Sequence, residues 1–131
     1  MPVKLSEYYW GKPRSSKEGL RLSCTRYLPR GVKKADYAKR DYLDVWLPVV
    51  APSRELLGWA HRQDLDEPAA WAKFQTRYRA EMKRTDPRQT IKALAMIAQT
   101  TPISVGCACK TPHCHRFVLE KLIRDAADGK F

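Results

Sequence analysis

The sequence predicts an α/β fold: a small, partly parallel sheet covered by helices, Rossmann-like in style. Three observations lead there. Residues 20–25 and 103–109 alternate apolar and polar positions with period two, as strands do. The stretch between them repeats its apolar residues at three- and four-residue steps, as buried helix faces do. Strands separated by long helical segments need crossover connections, which bring strands side by side in parallel. The chain has 131 residues with 44% hydrophobic content, enough for one compact domain over 1–131 with its own core.

Residues 3–10 alternate loosely and are expected to form the first strand. Residues 11–19, with Gly11, Pro13, Ser15, Ser16 and Gly19, read as a flexible loop. In 20–25, Leu20, Leu22 and Cys24 share one face and Arg21, Ser23 and Thr25 the other, which makes Cys24 a small core residue. Arg26 to Lys34 crowds four basic residues around Pro29 and Gly31. A loop leaving the C-terminal end of a strand is where open α/β sheets bind ligands.

Residues 35–44 look helical, and Tyr42, Leu43, Val45, Trp46 and Leu47 are expected to carry the chain into the core. Pro48 and Pro52 bracket a short irregular link. Ser53 caps a helix running to about Arg62, with Leu56, Leu57, Trp59 and Ala60 inward and His61 a surface residue at its end. Trp71, Phe74, Tyr78 and Met82 form the apolar stripe of a helix over 68–84. Asp86 and Pro87 then read as cap and first residue of the next helix, packed by Ile91, Leu94, Ala95, Ile97 and Ala98.

The chemistry concentrates in Pro102–Arg116, which holds three of the four cysteines and two of the three histidines. Ile103, Val105, Cys107 and Cys109 fall on one strand face. Thr111 and Pro112 are expected to start the last helix, placing Cys114 in its first turn, where backbone N–H groups lack intrahelical partners. If strands 20–25 and 103–109 are parallel neighbours, Arg26–Lys34 and Cys109–Arg116 share one sheet edge.

Charge narrows the partners. Twenty-five Lys and Arg against fourteen Asp and Glu give a net +11. Residues 1–40 hold eleven of the basic residues against Glu7, Glu18 and Asp36, a net +8. A basic front end suits an anion: nucleic acid, nucleotide or an acidic protein. There is no secretory h-region and no apolar run near membrane-spanning length. Four cysteines do not make a disulfide scaffold. A cytoplasmic protein with reduced thiols is expected.

These pieces resemble the YeaO-like family of bacterial and archaeal proteins of unknown function. The resemblance rests on Arg26 with Pro29-Arg30-Gly31-Val32, on Trp46-Leu47 with Ala51-Pro52-Ser53, on Trp71, Phe74 and Arg77–Met82, and on Val105-Gly106-Cys107, Cys109 and Cys114-His115-Arg116. It covers about residues 20–123 and implies a compact α/β domain. It carries no activity over. Many relatives carry Asp where Thr25 stands, and many an acidic residue where Lys110 stands, so no carboxylate role transfers to this pocket.

Four readings of the Cys-His-Arg stretch stay open. In the first, the helix start and Arg116, with Cys109, Arg26, Arg30 or Lys110, bind phosphate or a carboxylate. In the second, Cys114 is a nucleophile with His115 or His113 as base. A phosphatase loop of the Cys-five-residues-Arg type is excluded, because six residues separate Cys109 from Arg116 and one separates Cys114 from it. In the third, Cys107, Cys109, Cys114 and His115 (or His113) bind zinc. The Cys-x-Cys spacing favours it. The missing Cys-x2-Cys knuckle and the adjacency of Cys114 and His115 weigh against it, and no cofactor is the default expectation. In the fourth, Cys107 and Cys109 are core residues and Arg116 pairs with Glu120 on its own helix. The leading function is binding, and processing, of a phosphate-bearing ligand, nucleotide or nucleic acid. The alternatives are a non-catalytic basic interaction module and a small zinc-binding domain.

Overall fold

The structure, a computed structural model, describes residues 3–131. Its strands are β1 (Leu5–Tyr9), β2 (Leu20–Ser23), β3 (Val45–Trp46) and β4 (Ile103–Cys107). Its helices are α1 (Arg54–His61), α2 (Pro68–Met82), α3 (Thr85–Ile97) and α4 (His115–Ala127). The sheet order is β1-β4-β2-β3, and every pairing is parallel. β4 lies between β1 and β2, with Ile103 opposite both Leu5 and Leu20. All five β4 residues are buried, as expected for a strand with neighbours on both sides and covered faces.

One sheet face carries Leu5, Leu22, Ile103 and Val105 into a core shared with Leu56, Phe74, Tyr78, Met82, Ile91, Leu94, Leu119, Leu122 and Ile123. Ser53 caps α1 as the sequence predicts: its Oγ accepts from the Leu56 N–H at 3.1 Å. Glu81 on α2 binds both the N–H and the hydroxyl of Ser53, joining the two helices.

The other face is not left to water. Arg21 is 0% exposed. Its guanidinium lies 4.3 Å from the Tyr8 ring centroid, makes two bonds to Glu18 (2.9 and 3.0 Å) and donates to the Asp41 carbonyl at 2.7 Å. The 11–19 connection, expected to be loose, is tied down by this pair and by a two-pronged Arg14–Asp44 bridge at 2.7 Å per bond. Two glycines permit the close approach. A Cβ on Gly106 would sit 2.2 Å from the Tyr8 ring, and one on Gly19 would sit 2.1 Å from the Pro102 carbonyl oxygen.

The expected helix over 35–44 is one 3-10 turn, Lys34–Asp36, followed by irregular turns. Asp41 has φ 61°, and its carbonyl accepts from both Arg21 and the Gly11 N–H. The backbone here serves the buried Arg21 instead of a helical ladder. Val45 and Trp46, expected inside, form a two-residue edge strand and are each 38% exposed. α3 begins at Thr85 after Arg84, so Asp86 is not the cap. Pro87 stays within the first turn, where its missing N–H has no intrahelical acceptor. Ile97 is 46% exposed and does not pack the core. α4 starts at His115 with Cys114 as its N-cap, so neither Thr111 nor Pro112 begins it. Residues 108–114 are loop.

Candidate functional site

β2 and β4 run parallel, so their C-terminal ends open on one edge. The basic turn leaving β2 and the cysteine loop leaving β4 line the same cleft of about 420 Å³. That volume falls within the range of small-molecule sites. Arg26, Arg30, Cys107, Cys109, Cys114, His113 and His115 border it, and Tyr27, Leu57, Leu65 and Phe74 supply apolar wall. His61, expected only at the surface, borders it as well.

Two expected anion ligands do not border the cleft. Arg116 is 3% exposed. Its Nε donates to Glu7 at 2.7 Å and its Nη1 to the Cys109 carbonyl at 2.6 Å. The pairing is across the sheet to β1, not along α4 to Glu120. Lys110 sits with its ammonium 5.3 Å from the Tyr9 ring centroid. Arg26 lines the cleft but already donates to the Pro52 and Ala51 carbonyls (3.0 and 3.2 Å). Arg30 is exposed.

The sulfur and imidazole groups converge. Cys107 Sγ lies 3.6 Å from Cys109 Sγ, and Cys114 Sγ lies 3.8 Å from His115 Nδ1. Cys107, Cys114 and His115 place one donor atom each within 4.8 Å of one another, a group that can hold a metal ion. Adjacent residues reach one point because the chain changes conformation between them. Cys114 is extended (φ −129°, ψ 144°), and His115 is the first helical residue. β4 ends at Cys107, so Cys109 is half-buried in the loop and not a strand residue.

His115 is held from behind. Its Nε2 lies 2.6 Å from the Cys24 carbonyl oxygen, which can only accept, so Nε2 carries a proton and, in the neutral ring, Nδ1 is the lone-pair nitrogen facing Cys114. The Tyr78 ring packs edge-on against it at 5.6 Å. His113, also on the cleft lining, lies 3.0 Å from Asp66 and 5.0 Å from the Trp71 ring centroid.

The thiols differ in acidity. Burial pushes Cys24 well above the usual thiol range. Hydrogen bonding to Cys109, with burial adding, pushes the Cys107 thiol up to about 11. Cys109 is also raised: its bond to Cys107 pulls downward, but the Cys114 thiol and burial outweigh it. Without a metal, Cys107 and Cys109 are neutral thiols at pH 7.

Three of the contacts that shape this site carry no sequence signal. Glu7 is a single acid on an alternating strand, Asp66 is one of several acids in a polar link, and Cys24 acts through its backbone.

A family model, the Active DUF488-N3 subclade, matches residues 5–127, which takes in β1, the cleft and α4. The uncharacterised protein YeaO of Escherichia coli is 34% identical over 113 residues, covering 86% of this chain and 90% of the relative. The uncharacterised protein Mb3100c of Mycobacterium bovis is 29% identical over 87 residues, covering 66% of this chain and 67% of the relative. No solved structure matches significantly. No helix among the described residues is long and apolar enough to cross a membrane. The family match across nearly the whole fold, with the similarity to YeaO, shows that this chain belongs to the YeaO-like DUF488 family.

Proposed function

We propose that the cleft binds a small phosphate-bearing ligand of nucleotide size. The flat, apolar part of the ligand lies against Tyr27, Leu57, Leu65 and Phe74, and its anionic end meets Arg30 and Arg26. One observation supports this above the others: a single apolar-walled cleft collects the basic turn after β2 and the donor-rich loop after β4. Among the described residues no carboxylate pairs with either arginine. The test is calorimetric titration of inorganic phosphate, nucleoside mono-, di- and triphosphates and a short oligonucleotide at low and moderate salt. One nucleotide per chain is expected, weakened about tenfold by Arg30→Ala, the loss of a charge-assisted bond. Failure of every nucleotide to bind at millimolar concentration, or unchanged binding by Arg30→Ala, refutes it. Affinity found only with the oligonucleotide and falling steeply with salt makes the chain a basic interaction module instead.

A second reading, in which Cys114 is a nucleophile and His115 its base, is favoured by their 3.8 Å contact and by the Cys24 carbonyl that orients His115. It requires Cys114 to be alkylated ahead of the other thiols near pH 7. The same thiols and imidazole suit zinc among the biological metals.

A further inference from the structure

We infer that Cys107, Cys109, Cys114 and His115 form a closed, four-ligand zinc site on the cleft wall. Tetrahedral zinc with bonds of about 2.3 Å to sulfur and 2.05 Å to nitrogen sets its ligand sulfurs about 3.8 Å apart and a sulfur–nitrogen pair about 3.6 Å apart. The Cys107–Cys109 separation is 3.6 Å and the Cys114–His115 separation 3.8 Å. Both lie within about 0.2 Å of those values. Cys107, Cys114 and His115 already face one another within 4.8 Å. Cys109, in contact with Cys107 but outside that 4.8 Å group, supplies the fourth donor by an inward turn of its loop side chain on loading.

A second observation is independent of these spacings. Zinc-bound histidines commonly donate their remote N–H to a carbonyl or carboxylate, which fixes ring and tautomer. His115 does this through Nε2 to the Cys24 carbonyl at 2.6 Å, leaving Nδ1 as the free donor on the sulfur side. A third lies across the cluster. The Arg116 guanidinium, held by Glu7, stands 3.9 Å from Cys109 Sγ, where it offsets the net negative charge of three thiolates on one dication. Loading exchanges three thiol protons for the ion and oxidises nothing. Zinc then staples the end of β4 to the start of α4 across the helix-free loop 108–114. In the loaded protein Cys114 and His115 are ligands, so Cys114 is alkylated slowly until a chelator removes the metal.

The test is elemental analysis of protein purified without an affinity tag and under reducing conditions. It is followed by Co²⁺ reconstitution of the metal-stripped, reduced chain. One zinc per chain is expected, and intense visible cobalt bands of a tetrahedral thiolate site that Zn²⁺ abolishes. Cys109→Ser should weaken zinc binding at least about tenfold and reduce the sulfur-to-cobalt charge-transfer absorption by about a third. Cys24→Ser should leave stoichiometry unchanged, because only its carbonyl takes part. Zinc below about 0.1 equivalent together with no cobalt bands from wild-type protein overturns the site. Full charge-transfer intensity in Cys109→Ser overturns the four-ligand arrangement. The wild-type reconstitution needs no variant to fold. Nucleotide titration reads the cleft separately, so the metal site stands or falls without it.

Discussion

Replacing Arg116 with alanine separates two roles that the sequence alone confuses. An arginine at a helix start beside a cysteine loop is expected to bind a ligand anion, and its removal should then spare the fold. The structure reverses this. Arg116 is 3% exposed and bridges Glu7 of β1 to the Cys109 carbonyl. Removing one partner of a buried ion pair costs about 3–5 kcal/mol. The Glu7 side chain is 24% exposed and partly resolvates, which places the cost near the lower end, about 3 kcal/mol. The orphaned Cys109 carbonyl adds about 1 kcal/mol. For a domain of this size, about 3–4 kcal/mol lowers Tm by roughly 10–15 °C. Urea and thermal unfolding in EDTA, where metal content is equal, measure the loss. Arg116→Lys should fall between, since it keeps the charge but loses the two-pronged geometry. A Tm within about 3 °C of wild type, with nucleotide binding abolished, would refute the reasoning and return Arg116 to the role of anion receptor.

Other outcomes follow from the far sheet face. Gly106→Ala drives a methyl group to 2.2 Å from the Tyr8 ring, whose hydroxyl donates to the Tyr42 carbonyl at 2.8 Å. A loss of about 2–3 kcal/mol is expected in urea unfolding, and a loss under about 0.5 kcal/mol would contradict the packing. Arg14 bonding holds Asp44 below the ordinary carboxylate range. Glu18 is also lowered: burial opposes this, but Arg21 and the Ser15 N–H outweigh it. Depressed pKa values mean that the unfolded chain binds more protons in acid. This contribution is therefore complete above the ordinary carboxylate range of about 4–4.5 and is lost as pH falls below it through the lowered folded-state values. The urea midpoint should drop steeply between about pH 5 and 3, and Asp44→Asn should flatten that slope while lowering stability at pH 7. An unchanged slope in Asp44→Asn would count against it.

Elements driven by local periodicity were readable in advance. α2 has one apolar stripe, Ser53 caps α1 through its own hydroxyl, and β4 alternates cleanly. The failures share a cause. Residues 35–44 carry helix-compatible residues, but the Asp41 carbonyl is recruited by the Arg21 guanidinium, 20 residues earlier in the chain. Thr111 and Pro112 form a good local start signal, yet α4 waits until His115. The loop between is held by Arg116 on the Cys109 carbonyl and by His113 against Asp66.

By itself the sequence determined the family and the α/β class, and it offered the parallel adjacency of β2 and β4 only as the condition under which Arg26–Lys34 and Cys109–Arg116 share one edge. Strand alternation, crossover length and short motifs are local properties and suffice for that much, whereas the order β1-β4-β2-β3 that meets the condition is a property of the folded sheet. Tertiary structure alone decided what each polar group on that edge does. It turned Arg116 inward to Glu7, set His115 by the Cys24 carbonyl, brought the Cys107, Cys114 and His115 donors within 4.8 Å of one another, and laid Cys109 against Cys107. A buried charge or lone pair goes to whichever partner the folded backbone brings within about 3 Å, and that distance is not written in sequence spacing.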